Sequence, residues 1–130
     1  MPTIFTKIIN REIPAYIILE DTHFIAFLDI NPLVLGHTLV VPKQEVDYIF
    51  DLDDNTLAGL HVFAKKVAHA IRETVPCKRI GIAVIGLEVP HTHIHLIPIN
   101  KMDDMNFSRP KLAFTEEEFE GTAEKIRKYL

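Results

Sequence analysis

The chain has 130 residues, the length of one ordinary domain, and 48% of them are hydrophobic, enough for one core and too little for two. A net charge of −4 and a pI near 5.9 argue against a nucleic-acid-binding surface and against attachment to an anionic membrane. With one cysteine and no apolar run of transmembrane length, we expect a single domain over residues 1–130, located in the reducing cytoplasm.

The first half of the chain predicts a short helix and three strands. The indications are apolar residues at helical spacing, two apolar runs joined by a polar turn, and a third apolar run after a loop. The predicted helical turn covers residues 3–10, and the predicted strands cover residues 15–20, 24–28 and 38–41. The first two strands are expected to form a β-hairpin, and Pro42 ends the third.

Two longer helices are predicted further along the chain. Apolar residues recur at helical spacing over residues 54–75, with Asp53 or Asp54 available as the N-cap. Thr115 and Glu118 match a capping box at the start of a last amphipathic helix.

Two strands lie between these helices. Residues 78–85 are apolar on both faces, which predicts a central strand covered on both sides. The next strand is predicted over residues 89–99. The order of elements predicts an α+β fold, an antiparallel five-stranded sheet with one long central helix and a C-terminal helix.

The last predicted strand contains three alternating histidines, His91, His93 and His95. Because side chains alternate along a strand, we expect the three imidazoles on one face. Burying them unpaired would be costly, so they need hydrogen-bond partners, a metal ion or a substrate. They fit three interpretations: satisfied polar side chains, ligands of one metal ion, or phosphate chemistry in which a neutral imidazole attacks phosphorus.

Phosphate chemistry would assign distinct roles to these residues. His93, flanked on both sides, suits the nucleophile, with its other ring nitrogen donating to a fixed acceptor such as a backbone carbonyl. His91 and His95 suit roles that support the nucleophile. His37 is either a capping histidine or part of the site, depending on whether its strand lies near the histidine strand. Asp29 is either a turn residue or an acceptor of hydrogen bonds from a ribose.

The run from His91 to Ile97, HTHIHLI, and the upstream block at residues 4–43 resemble the histidine triad (HIT) superfamily of nucleotide hydrolases and transferases. The resemblance extends from Ile4 to about Ile99 and is strongest to the purine nucleoside phosphoramidase branch. It implies an α+β fold and a homodimer whose sheet continues across the interface.

The resemblance also implies roles for individual residues. His93 would attack the α-phosphorus of a purine nucleotide or nucleoside phosphoramidate and form a nucleotidyl-histidine intermediate, without a cofactor. His91, His95 and His37 would support catalysis, and Asp29 would hold the ribose. The implied base pocket consists of Phe5, Ile8, Ile18, Phe27 and Ile30.

Two departures from the family pattern, and one loop outside the matched region, change the expectations. Relatives in this branch form a structural zinc site with C-x-x-C and a later histidine, where this chain has Thr3, Thr6 and Glu45; we therefore expect no metal. Relatives place phosphate-binding donors in the nucleotide site where this chain has Leu87 and Glu88. The loop at residues 106–114 lies outside the matched region and is expected to contact the partner subunit's site.

Two alternatives to a HIT hydrolase or transferase remain open at the level of sequence. One is a metal-dependent hydrolase that uses the three histidines as ligands. The other is a nucleotide-binding protein with weak catalysis, which the residues at positions 87 and 88 favour.

Overall fold

The computed structural model describes residues 2–130, and its centre is an antiparallel sheet in the order β1-β2-β3-β5-β4. The strands are β1 (Ile17–Glu20), β2 (Phe24–Leu28), β3 (Thr38–Pro42), β4 (Arg79–Ala83) and β5 (Ile94–Ile99). The helices are α1 (Ile4–Ile9), α2 (Asp54–Thr74) and α3 (Glu116–Arg127). The predicted α+β class, five-stranded antiparallel sheet, long central helix and C-terminal helix are confirmed. Two short 3-10 helices, at Ile49–Asp51 and Met102–Met105, were not predicted.

Side-chain caps determine where the longer helices begin. Asp53 accepts a hydrogen bond from the backbone N–H of Thr56 at 2.7 Å, as an N-cap does. Thr115 and Glu118 form the predicted reciprocal capping box. No helix within residues 2–130 is long and apolar enough to cross a membrane.

The sheet has an apolar cluster on each face. The cluster on the face covered by α2 and α3 includes Ala26, Leu28 and Val40, whereas the cluster on the face covered by α1 includes Phe27 and Leu39. Consecutive residues therefore point to opposite faces, as strand geometry requires. Every residue of β2 and β3 is buried because both faces of these strands are covered.

The pairing of β2, β3 and β5 positions the residues beyond the ends of the strands. Leu28 lies opposite Thr38, and Thr38 lies opposite Leu96. The residue after β2 and the residue before β3 therefore lie beside each other, next to the middle of β5.

Within one chain, β4 lies at the edge of the sheet, so the prediction that this segment forms a central strand is wrong. β4 pairs with β5 at one edge of the sheet, and Ile82 is 51% exposed. Apolar side chains on both faces favour covered faces, but within residues 2–130 no strand pairs with the outer side of β4. An exposed apolar edge strand is a surface on which another strand can pair.

Gly36 provides a test of the turn before β3. Its φ of +91° is unfavourable for a residue with a side chain, and a Cβ there would lie 2.9 Å from Cγ2 of Val75. We expect Gly36→Ala to lower the free energy of unfolding by about 1–3 kcal/mol, measured by urea denaturation. Gly121→Ala in α3 is the matched control, because a Cβ there meets nothing within 4 Å. Equal losses in the two variants would contradict this account.

Candidate active site

Residues at the ends of neighbouring strands bring an aspartate and two histidines together. Asp29 follows β2, His37 precedes β3, and His95 lies in β5. Nε2 of His37 lies 2.9 Å from Nδ1 of His95 and 3.5 Å from Oδ2 of Asp29. The fold thus brings together three of the residues singled out in the sequence, including His37, whose role depended on the position of its strand.

The three histidines of the motif form a row beside α1. The ring centroids of His93 and His95 are 4.9 Å apart, and the Phe5 ring lies 5.8 Å from that of His91 and 5.0 Å from that of His93. His91 and His93 are buried, and His93 is 7% exposed.

The strand predicted over residues 89–99 begins only at Ile94, so His91 and His93 precede it. The backbone N–H of Thr92 donates to the carbonyl oxygen of Val46 at 2.7 Å, and its hydroxyl donates to the same oxygen. The segment with the first two histidines is therefore bonded to the loop after β3.

The hydrogen bonds of His93 leave its outer ring nitrogen free to react. Nδ1 of His93 lies 2.8 Å from the carbonyl oxygen of His91. Since a carbonyl oxygen only accepts, Nδ1 carries the proton and Nε2 carries a lone pair. This is the tautomer that a nucleophilic imidazole needs.

The tautomer of His37 determines the tautomer of His95. The backbone N–H of Leu33 donates to Nδ1 of His37 at 3.0 Å, so neutral His37 carries its proton on Nε2. That proton is donated to Nδ1 of His95, and His95 therefore carries its own proton on Nε2. His95 thus presents an N–H donor, whereas His93 presents a lone pair.

Burial lowers the pKa of three of these imidazoles, those of His37, His91 and His95. Burial, helped by the positive charge of Lys111, lowers the pKa of His37 to about 4. Burial, helped by the neighbouring His37, lowers the pKa of His95 to about 3. Burial also lowers the pKa of His91. His37 and His95 are therefore neutral hydrogen-bonding groups at neutral pH and add no positive charge to the site.

The geometry argues against a metal centre built from these side chains. Within residues 2–130, Asp29, His37 and His95 form the group whose possible ligand atoms lie within 4.8 Å of one another. For His37 to bind an ion through Nε2, its proton would have to move to Nδ1, which faces the N–H of Leu33. The motif histidines do not fit a shared ion either, because both ring nitrogens of His91 are hydrogen-bonded, to Thr3 and to the Pro42 carbonyl.

The residues at the family's zinc position do not fit zinc. Thr3 and Thr6 offer neutral hydroxyls, and the Thr6 hydroxyl donates its proton to Glu45. Nδ1 of His91 lies 2.9 Å from Oγ1 of Thr3. Zinc in structural sites is held by thiolates and imidazoles, so this donor set suits hydrogen bonding instead.

An apolar wall lies beside the row, and it differs in part from the predicted base pocket. Phe5, Ile8 and Phe27 belong to the cluster on the α1 face, and the rings of Phe5 and Phe27 are 5.6 Å apart. Ile18 is misassigned, because it packs in the cluster on the opposite face of the sheet. Ile30 is 59% exposed and lies outside both clusters.

Sequence reasoning missed other members of this wall. Ile13, Ile17 and Val89 pack against the α1-face cluster. Strand alternation could have identified Ile17, because it pairs with Phe27 in β2 and so shares its face.

The loop after β5 folds over the chain's own site, a placement not anticipated for it. The Phe107 ring lies 4.9 Å from that of His95 and 6.3 Å from that of His37. The Lys111 ammonium lies 5.8 Å from the centroid of the Phe107 ring. Within residues 2–130 Lys111 has no ion-pair partner, whereas Arg109 pairs with Asp103 and Asp104. Lys111 is therefore an available cation near the histidines.

The two residues that depart from the family's phosphate-binding pattern both lie at the surface. Leu87 is 89% exposed, and Glu88 is also exposed. The Glu88 carboxylate is thus solvated, which reduces its cost beside an anionic ligand.

Comparisons with known proteins agree with the motif. The family profile described as HIT domain matches residues 10–102. The chain is 39% identical over 131 residues to an uncharacterized HIT-like protein of Borreliella burgdorferi, covering 95% of this chain and 94% of that protein. It is 32% identical over 128 residues to the adenosine 5'-monophosphoramidase of Schizosaccharomyces pombe, covering 97% and 96%. A HIT-like protein involved in cell-cycle regulation from Bartonella henselae has a solved structure with a TM-score of 0.85, 32% identity and coverage of 98% and 96%.

The neutrality of His37 and His95 can be measured directly. We expect an NMR pH titration of the ring resonances to give a pKa of about 4 for His37 and about 3 for His95, against 6.5 for an ordinary histidine. Because the unfolded chain binds these protons at higher pH, the free energy of unfolding should be highest above about pH 6.5 and should fall as the pH approaches 4. A His37 titration midpoint near 6.5 would contradict the fixed-tautomer arrangement.

Proposed function

The chain belongs to the HIT family, and from this premise we propose that it hydrolyses purine nucleoside phosphoramidates or related nucleotide conjugates at the α-phosphate. The observation that carries the proposal is the 2.8 Å contact between Nδ1 of His93 and the His91 carbonyl oxygen, which leaves a lone pair on Nε2. The phosphoramidase activity named for the Schizosaccharomyces pombe relative supports the substrate class.

The reaction proceeds in two displacements at phosphorus. Nε2 of His93 forms a bond to the α-phosphorus, the bond from phosphorus to the amine breaks, and the amine leaves with a proton from solvent. Water then attacks the phosphorus, releases the nucleoside monophosphate and restores the neutral imidazole. An acceptor other than water would make the same intermediate a nucleotidyl donor, so transfer uses the same residues.

The neighbouring residues have distinct roles in this proposal. The Nε2–H of His95 donates to a phosphoryl oxygen, where charge develops in the transition state. His37 orients His95 through their 2.9 Å hydrogen bond, and His91 orients His93 through its carbonyl. Lys111 supplies positive charge, which the neutral His37 and His95 lack.

The nucleoside would occupy the surface between the apolar wall and the end of β2. The base packs against Phe5, Ile8 and Phe27, which are buried on the α1 face. The ribose hydroxyls donate to the carboxylate of Asp29, whose Oδ1 accepts from the N–H of Asn31 at 2.8 Å and is thereby oriented.

We also propose that two copies pair through β4 and continue the sheet. Ile82, Val84 and Ile85 are exposed at this edge, and no strand in the described part of the chain pairs with the outer side of β4. Pairing would satisfy the edge backbone groups and cover the apolar side chains. It would also make β4 the central, covered strand that its sequence favours.

The first experiment measures hydrolysis of a fluorogenic adenosine phosphoramidate in the presence of EDTA. Wild-type activity should survive EDTA, because the nucleophile is an imidazole and the hydrogen bonds of His37 and His91 oppose metal binding by these two histidines. His93→Ala should lower kcat/KM by roughly a thousandfold or more, because the covalent step is lost. His61→Ala, at an exposed position on α2, is the control and should keep full activity.

The other outcomes decide against the proposal. Activity that disappears after prolonged EDTA treatment would favour the metal-dependent hydrolase. Measurable nucleotide affinity without turnover above that of His93→Ala would favour a binding protein with weak catalysis.

Pairing through β4 predicts a dimer in solution that a charge at the edge disrupts. Sedimentation equilibrium should give twice the chain mass of 14.9 kDa for the wild type and a shift toward that mass for Ile82→Lys. Tyr129→Lys is the control, because Tyr129 is 57% exposed and follows α3, which packs near the opposite edge. A dimer unchanged in Ile82→Lys would place the interface elsewhere.

A further inference from the structure

We propose that Thr3, Thr6 and Glu45 form a clip that holds α1 against the triad segment and thereby positions Phe5 and His93. The inference rests on the proposed function, in which Phe5 contacts the base and His93 attacks phosphorus. It assigns a positioning role to three polar residues that lie behind the site.

The outer part of the clip is a carboxylate that binds two donors of α1. Oε1 of Glu45 accepts the backbone N–H of Thr3 at 3.1 Å and also accepts the hydroxyl of Thr6. These two hydrogen bonds, chiefly that of the Thr6 hydroxyl, hold the pKa of Glu45 below its usual range. The exposed loop after β3 is thus tied to the first turn of α1.

The inner part of the clip is the hydroxyl of Thr3, which is 7% exposed. It accepts the backbone N–H of Thr6 at 3.2 Å as the N-cap of α1. It also lies 2.9 Å from Nδ1 of His91, whose Nε2–H donates to the Pro42 carbonyl at 2.8 Å. Because His91 has its proton on Nε2, the Thr3 hydroxyl must donate to Nδ1.

The clip acts on the site through two neighbours. Phe5 lies two residues after Thr3, and its ring contacts those of His91 and His93. His91 in turn orients His93 through its carbonyl oxygen. Hydrogen bonds between Glu45 and Thr3, between Thr3 and His91, and between His91 and His93 therefore connect the surface carboxylate to Nδ1 of His93, residue by residue. Three chain segments meet here as they would around a structural metal ion, and hydrogen bonds join them.

Paired substitutions at Thr3 separate positioning from general stability. Thr3→Val keeps the shape but removes the hydroxyl, whereas Thr3→Ser keeps the hydroxyl. We expect Thr3→Val to weaken AMP binding about tenfold by calorimetry and to lower kcat as well, with Thr3→Ser within about twofold of wild type. Thr115→Val is the matched control, because it removes the same kind of N-cap from α3. It should lose stability and keep AMP affinity.

Glu45→Ala tests the outer part of the clip at an exposed position where folding is not at risk. We expect AMP affinity to fall about threefold, less than in Thr3→Val, because the inner hydrogen bond remains. Unchanged AMP affinity in both Thr3→Val and Glu45→Ala would overturn the clip. An equal loss in Thr115→Val would overturn it too, because general destabilisation would then explain the effect.

A ligand-free measurement keeps this test separate from the proposed function. The nitrogen-15 shift of Nδ1 of His91 should report an accepted hydrogen bond in the wild type and in Thr3→Ser, and its loss in Thr3→Val. If the wild type shows this signature but does not hydrolyse the phosphoramidate, the proposed function is contradicted and the clip is still supported. A shift that is the same in all three proteins would overturn the clip whatever the activity.

Discussion

The backbone determines which nitrogen of His37, His91 and His93 carries a proton, and the chemistry of the site depends on this constraint. The carbonyl of His91 makes Nδ1 of His93 a donor, and the N–H of Leu33 makes Nδ1 of His37 an acceptor. A carbonyl cannot donate and an amide N–H cannot accept, so these assignments do not change when solvent or ligand enters. Residues in a row of identical side chains thus acquire different functions, a lone pair at His93 and a donor at His95.

Neutral histidines make good nucleophiles and donors but leave an anionic ligand without a counter-charge. Burial lowers the pKa of His37 and of His95, and the carboxylate of Asp29 adds negative charge beside them. Lys111, on the loop that folds over the row, brings a positive charge near both histidines. The charge that attracts an anionic substrate therefore lies on a different residue from the one whose Nε2 faces the substrate.

Local signals in the sequence were sufficient for the helices and their caps, as the predicted box at Thr115 demonstrates. These local signals did not predict the features that depend on contacts between distant segments of the chain. The start of β5 depends on a hydrogen bond from Thr92 to a loop 46 residues away, and the edge position of β4 depends on strand order. The predicted base pocket included Ile18, which packs on the opposite face of the sheet from Phe27. Since Ile17 pairs with Phe27, strand alternation alone indicates that Ile17, and not Ile18, shares the face of Phe27. The motif identified the histidines, but only the strand order brings Asp29 beside His37.

His91 has the least chemical freedom of the three motif histidines and the most connections. Both of its ring nitrogens are hydrogen-bonded inside the protein, so it has no free atom for a substrate or an ion. Its carbonyl holds His93, and its ring is held by Thr3, which begins the helix that bears Phe5. The position therefore joins the wall that would contact the base to the nitrogen that would attack phosphorus. A neutral imidazole suits this position because it donates at one nitrogen and accepts at the other, a pairing of functions that a lysine or an arginine cannot provide.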